Sequence, residues 1–275
     1  MKRRGYAVTA AIMLCSTVLA GCRGKVTAQS LLLGAASKTA SESSYDANLA
    51  LDLEASGTVS GVSVDMGFYV DMDMEATQEP IALHAQGSMS IDILGQNQET
   101  GMEMYVEEGD GKLYSYTSAG DGKWTRNVEE NYMDLSTLYS EEQVKMLADS
   151  LELKEDTTEI NDIECYEVSG KLQGDGLEGI LKGAMGSLGN SDLLGEIDLE
   201  GAEVPVAYFI GKESGYPVKI SIDMQDVMGR SLQTGDDSGA DLECRSFKME
   251  MTMNSFGTVD AIRVPKEVKQ AAESQ

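Results

Sequence analysis

The sequence predicts an α+β protein: a curved antiparallel half-barrel sheet of about ten long strands, with an N-terminal helix and two inserted helical segments on its concave side. Three observations point there. Apolar and polar residues alternate over long runs, the period of a strand with one dry and one wet face. Asp-Gly pairs fall between such runs, where hairpins turn. Only three stretches switch to helical spacing, and helices segregated to one face of an antiparallel sheet make an α+β fold.

The N-terminus is an address rather than part of that fold. Lys2, Arg3 and Arg4 precede an apolar run from Tyr6 to Val18, closed by Leu19-Ala20-Gly21-Cys22. That order of charge, short apolar run and small residues is a secretory signal, too short and wrongly flanked for a membrane span. Small residues let the chain lie extended in a peptidase groove, and the cysteine thiol can take a diacylglycerol thioether. Cleavage is expected between Gly21 and Cys22, removing residues 1–21 and leaving Cys22 as the acylated end of a tether over 22–28. Each buried acyl methylene contributes about 0.8 kcal/mol, so two or three chains of palmitate type hold a protein stably. The expected location is the extracytoplasmic face of the cell membrane, with a lipid anchor.

Composition narrows the function classes. Without residues 1–21 the chain keeps 18 basic against 47 acidic residues, a formal charge of −29. Such a surface repels nucleic acid and anionic headgroups. The remaining length suits one large domain, assigned to residues 29–265 and expected to be monomeric, with a frayed tail over 266–275. Aromatic residues are only 6% of the chain, whereas 14 of its 16 methionines survive cleavage.

From Gln29 to about Ser43, Leu31–Leu33, Ala35–Ala36 and Thr39–Ala40 are spaced for one amphipathic helix. After Tyr45 the period becomes two: Leu49, Leu51 and Leu53, then Met66, Phe68, Val70, Met72 and Met74. Met89, Ile91 and Ile93 come next, and then Met102, Met104 and Val106. Gly109-Asp110-Gly111-Lys112 and Gly120-Asp121-Gly122-Lys123 mark consecutive hairpins, because Asp-Gly supplies the positive φ angles a tight turn needs. Ser140-Glu141-Glu142-Gln143 is a capping box that starts a second helix, about 141–150. Strands resume near 153–158 and 163–172. Between Gly174 and Gly195, Leu177, Ile180, Leu181, Met185 and Leu188 form a helical stripe, weakened by five glycines between 174 and 186 at about 1 kcal/mol each. Strands over about 204–210, 217–228 and 242–255 close the domain, with a polar hairpin loop at 235–241. The last strand alternates Phe247, Met249, Met251 and Met253 against Lys248, Glu250 and Thr252.

This order resembles the LolA-like fold shared by LolA, LolB and the LppX/LprG lipoproteins of mycobacteria. It is most similar to the uncharacterised Gram-positive lipoprotein families allied to them. The likeness rests on the Leu-Ala-Gly-Cys lipobox and on the helix leading into Ser44-Tyr45. It rests also on Gly111-Lys112-Leu113-Tyr114 with Gly122-Lys123-Trp124, and on Thr258-Val259 to Val264-Pro265. The resemblance implies a half-barrel closed by helices around a cavity for acyl chains, with no catalytic residue.

The residues themselves allow two functions. Met66, Met72, Met74, Met89, Met102, Met104, Met249, Met251 and Met253 all fall on the apolar parity of their strands. Methionine adapts to ligands of ill-defined shape but specifies packing poorly. One reading is a lipid-binding or lipid-shuttling lipoprotein. Its cavity is formed by these residues with Phe68, Val70, Ile91, Ile93 and Phe247, and the helices at 141–150 and 174–195 act as lid elements, the second through its 177–188 stripe. The other is a cell-surface structural or interaction module whose core is filled. Enzyme chemistry is not expected: His84 is the lone histidine and neither HExxH nor GxSxG occurs. Asp71 and Asp73 share a strand face as acid pairs or metal ligands would, yet any wet face places polar residues there. No metal or cofactor is expected. Trp124 and Tyr114 could engage sugars, but packing across a hairpin is the simpler role. Cys165 and Cys244 permit one disulfide or remain two free thiols.

Overall fold

The computed structural model describes residues 26–129, 149–173, 199, 201–233 and 240–273. Helix α1 (Ala28–Ser41) comes first. Thr27 Oγ1 accepts from Ser30 N at 3.1 Å and Ser30 Oγ accepts from Thr27 N at 3.0 Å, a reciprocal cap for two otherwise orphan donors. At the other end the Glu42 N–H donates to Thr39 O, and Lys38 sits in the last turn, where the helix dipole favours a cation.

Six strands then run as a meander: β1 (Ser44–Val59), β2 (Val62–Gln78), β3 (Ile81–Ile93), β4 (Gln96–Gly109), β5 (Lys112–Ser118) and β6 (Thr125–Glu129). A second meander comprises β7 (Leu151–Ile160), β8 (Ile163–Gln173), β9 (Glu203–Gly211) and β10 (Pro217–Asp223). Helix α2 (Gln225–Gln233), strand β11 (Ala240–Phe256) and helix α3 (Lys266–Glu273) complete the described chain. All eleven strands form one antiparallel sheet in the order β6-β5-β4-β3-β2-β1-β11-β10-β9-β8-β7. The first meander therefore grows outward from the centre, and the second grows inward from the far edge until β11 pairs with β1. The sheet is open, with β6 and β7 as its edges.

Local chemistry explains the turns. Asp110 and Gly111 both have positive φ (52° and 69°), closing β4 onto β5 in two residues as the Asp-Gly signal predicts. The repeat at 120–123 makes a longer loop, where Asp121 Oδ1 accepts from the Lys123 N–H at 2.9 Å.

Several expectations change. Among the described residues the sheet has eleven strands, close to the ten or so expected, and the chain is mostly β with three helices. The strand expected over 217–228 stops at Asp223. Met224, Val227, Met228 and Leu232 instead pack α2 against the sheet at helical spacing. Residues 266–273, expected to fray, form α3, which docks Val268 and Ala272 onto Tyr116, Tyr105, Tyr114 and Trp124. This helix lies on the opposite face from α1 and α2, so the helices are not confined to one side. Cys165 and Cys244 are free buried thiols, which excludes the disulfide. They sit on β8 and β11, three strands apart, or about 14 Å at the usual strand spacing. A disulfide needs Cα atoms within about 7 Å.

Candidate functional site: the methionine face

Strand pairing assembles the predicted methionines into rows across one face of the sheet. One row reads Met104–Ala85–Met74–Ala47–Met253. The next reads Met102–Gly87–Met72–Leu49–Met251 and continues through Ile220 and Tyr208 to Val168. A third runs Met89–Val70–Leu51–Met249–Ile222–Val206, and a fourth Ile91–Phe68–Leu53–Phe247. Ile93–Met66–Ala55–Cys244 forms the last. Every cavity residue expected from the sequence thus lies on the same side. In the first row each methionine is flanked by alanine, and in the second Gly87 separates Met102 from Met72. Long flexible side chains beside small ones leave lateral room that a run of leucines would fill.

Burial is graded along this face. Val70, Met72, Met74, Met104, Phe247, Met249, Met251 and Met253 are buried in the main core with Leu32, Ala35 and Ala36 of α1, with Met224 just before α2 and with Val227 of α2. Met66, Phe68, Met89 and Met102 are half-buried. Towards the β1–β2 and β3–β4 turns the face opens: Ile91 is 38% exposed, Ile93 49% and Val62 61%. Burial raises the Tyr208 phenol well above its ordinary range and lifts the Cys244 thiol to about 11, so both stay protonated at neutral pH. The face therefore carries no charge from these groups.

Helix α1 is tied down at its C-terminal end. Lys38 Nζ donates to Ser214 O in the β9–β10 turn and lies 4.9 Å from the centre of the Tyr216 ring. The Tyr216 hydroxyl donates to Glu42, and its ring stacks on Phe256 at 4.7 Å.

The opposite face holds the remaining candidates. Asp71 and Asp73 both accept from the Asn48 amide, at 2.7 and 3.2 Å, so this pair is bridged by a side chain. His84 stacks on Tyr105 with ring centroids 4.3 Å apart, and its Nε2 meets Glu103 at 3.1 Å. Tyr114 lies 4.2 Å beneath the Arg126 guanidinium. Trp124 packs at 5.8 Å against Tyr105. Gly21, Cys22 and the predicted lid residues Leu177, Ile180, Leu181, Met185 and Leu188 lie outside the described residues, as does most of the 141–150 segment. Among the described residues no helix is long and apolar enough to cross a membrane.

Helix α2 is the part of this face that sequence reasoning missed. Its signal was present, since Met224, Val227, Met228 and Leu232 have helical spacing, but Ile220-Ser221-Ile222 continues into it at strand period.

Among solved structures, the fold is similar to LprF from Mycobacterium bovis, at 14% identity, with 86% of this chain and 96% of that chain covered and a TM-score of 0.46. It is similar also to the lipoprotein LppX from Mycobacterium tuberculosis, at 14% identity, with 86% and 98% covered and a TM-score of 0.42. Likeness at that level bears on neither ligand nor activity. No curated protein matches the sequence. A family of unknown function, DUF6612, matches residues 27–273, which takes in α1, the whole sheet and α3. The chain belongs to the DUF6612 family.

Proposed function

We propose that this chain is a lipoprotein, anchored through acylated Cys22 on the extracytoplasmic side of a membrane, that binds or shuttles a lipid or other apolar ligand against its methionine face. It performs no catalysis of its own. The alternation of methionine with alanine and glycine across β4, β3, β2, β1 and β11 carries this reading. An acyl chain lacks a fixed shape, and it is best received by side chains that repack at low cost. The graded burial fits the same role, because an apolar tail could enter from the open end at Ile91 and Ile93 and advance toward Met72.

Native mass spectrometry of residues 23–275 after gentle purification tests the ligand. A co-purifying lipid mass is expected. Met89→Glu or Met102→Glu should deplete it at least tenfold while Tm stays within a few degrees, since both side chains are only half-buried. No bound mass, with a Tm indifferent to added phospholipid, would instead identify a ligand-free module with a filled core. Metabolic labelling with palmitate tests the anchor separately: Cys22→Ala should abolish incorporation.

A further inference from the structure

The polar face of the sheet carries a second concave feature, which shares only Gly87 and Met102 of its lining with the methionine rows. Strand pairing aligns Asp73, Gln86, Glu103 and Ser118 in one row across β2, β3, β4 and β5. At about 4.8 Å per strand this row is roughly 14 Å long. It floors an open groove of about 580 Å³, which Gly101 and Trp124 also line. That volume falls within the usual range of small-molecule sites, ~300–1,000 Å³.

The groove exists because side chains are missing where they would fill it. A Cβ added at Gly101 would meet nothing closer than Gly87 O at 4.0 Å. The Gly120 backbone comes so near Gly101 that a Cβ there would sit 3.0 Å from Gly101 O. Gly120 also has a φ of +75°, which suits glycine alone.

A strand's wet face must be polar anyway, so polarity by itself marks no site. Three observations taken together mark this stretch. Several acidic residues of the sheet meet cations, as in Lys219–Glu250 at 2.7 Å, Lys212–Glu164 at 2.6 Å and Lys269–Glu107 at 2.6 Å. Among the described residues no lysine or arginine pairs with Asp73 or Glu103, and none lines the groove. Second, Glu103 is held in place: its Oε1 accepts from the Tyr105 hydroxyl at 2.9 Å and meets His84 Nε2 at 3.1 Å. Among the described residues its other oxygen has no partner, and neither has the oxygen of Asp73 beyond the Asn48 contact. Third, Trp124 lines the groove and its ring packs on Tyr105.

The missing basic residues argue against phosphate or carboxylate ligands. What matches is a ligand with many neutral hydroxyls and an apolar C–H face. Carboxylate and amide oxygens accept from hydroxyls, Gln86 and Ser118 both donate and accept, and the indole packs on the C–H face. From this geometry we infer that the groove over Asp73, Gln86, Glu103 and Ser118 is a binding site for a short neutral oligosaccharide.

Trp124 is the only tryptophan in the chain, so its fluorescence reports on a residue that lines the groove. The full-length chain, held in a detergent without a sugar headgroup, is titrated with neutral tri- to pentasaccharides of glucose, galactose, mannose and N-acetylglucosamine, and separately with spermidine. A saturable change with at least one saccharide is expected. Asp73→Asn should weaken it about tenfold, which corresponds to 1.4 kcal/mol. Gly101→Leu should abolish it by filling the groove, and unchanged circular dichroism in both variants shows that the sheet persists. No saturable response to any saccharide overturns the proposal. So does a response that both variants retain, or one to spermidine alone.

Discussion

Met72→Ala measures how tightly the methionine face is packed where it is deepest. Met72 is 1% exposed and stands between Gly87 on β3 and Leu49 on β1. The substitution removes three side-chain heavy atoms. At about 0.8 kcal/mol each the lost transfer energy is roughly 2.4 kcal/mol. A cavity adds to that unless the surroundings collapse into it. On the Gly87 side they cannot, because the β2 and β3 backbones already lie at closest approach: an ideal Cβ at Gly87 would fall 1.9 Å from Asp71 O. The expected loss is therefore in the upper part of the known range, about 3–4.5 kcal/mol. For a domain of this size that lowers Tm by roughly 6–18 °C. Urea denaturation with an unchanged m-value is the assay. Ile93→Ala, at a position 49% exposed on the same face, is the control and should cost under about 1 kcal/mol. A loss below about 1.5 kcal/mol for Met72→Ala would refute the reasoning, by showing that the deep end of the face is already loosely filled.

Caps, docked helices and buried thiols carry further expected outcomes. Thr27→Ala removes the α1 cap and should cost about 0.5–2 kcal/mol in urea denaturation, with Thr27→Ser close to wild type. Val268→Ala strips two methyls from the contact of α3 with Tyr116 and should cost about 1–2 kcal/mol; a neutral result would mean that α3 is not docked. With residues 1–22 removed, the unfolded chain should take two equivalents of alkylating agent without reductant, one at Cys165 and one at Cys244. In the folded chain at pH 8 both should be nearly inert, since burial raises both thiols. The linkage has a definite sign. The Cys244 thiol is at about 11 when folded, against about 8.5 unfolded. Its contribution to stability is intact below pH 8.5 and falls as pH rises toward 11, which Tm measured against pH reads directly.

Much of the fold was legible along the chain because a strand writes its two faces into alternate positions. Met66, Met72, Met74, Met102, Met104, Met249, Met251 and Met253 could be assigned to one face from parity alone, and the structure puts them there. The hairpin at Asp110-Gly111 was legible for a similar local reason: its positive φ angles need those residues. Helix α2 was obscured because an alternating strand runs straight into it. Helix α3 was illegible because its eight residues are mostly polar, and docking on Tyr116 with the Lys269–Glu107 contact holds it in place.

The sequence by itself determined which residues share a face, where the tight turns come and that the sheet is acidic and methionine-rich. Those are properties of neighbours along the chain, governed by side-chain period and backbone sterics. Only the tertiary structure decided that β11 returns to pair with β1, setting Met253 beside Ala47 and Met251 beside Leu49. It alone brought Ala85 and Gly87 between methionines, and Asp73, Gln86, Glu103 and Ser118 into one row. Register between distant strands depends on how whole faces bury together, so no local pattern encodes it.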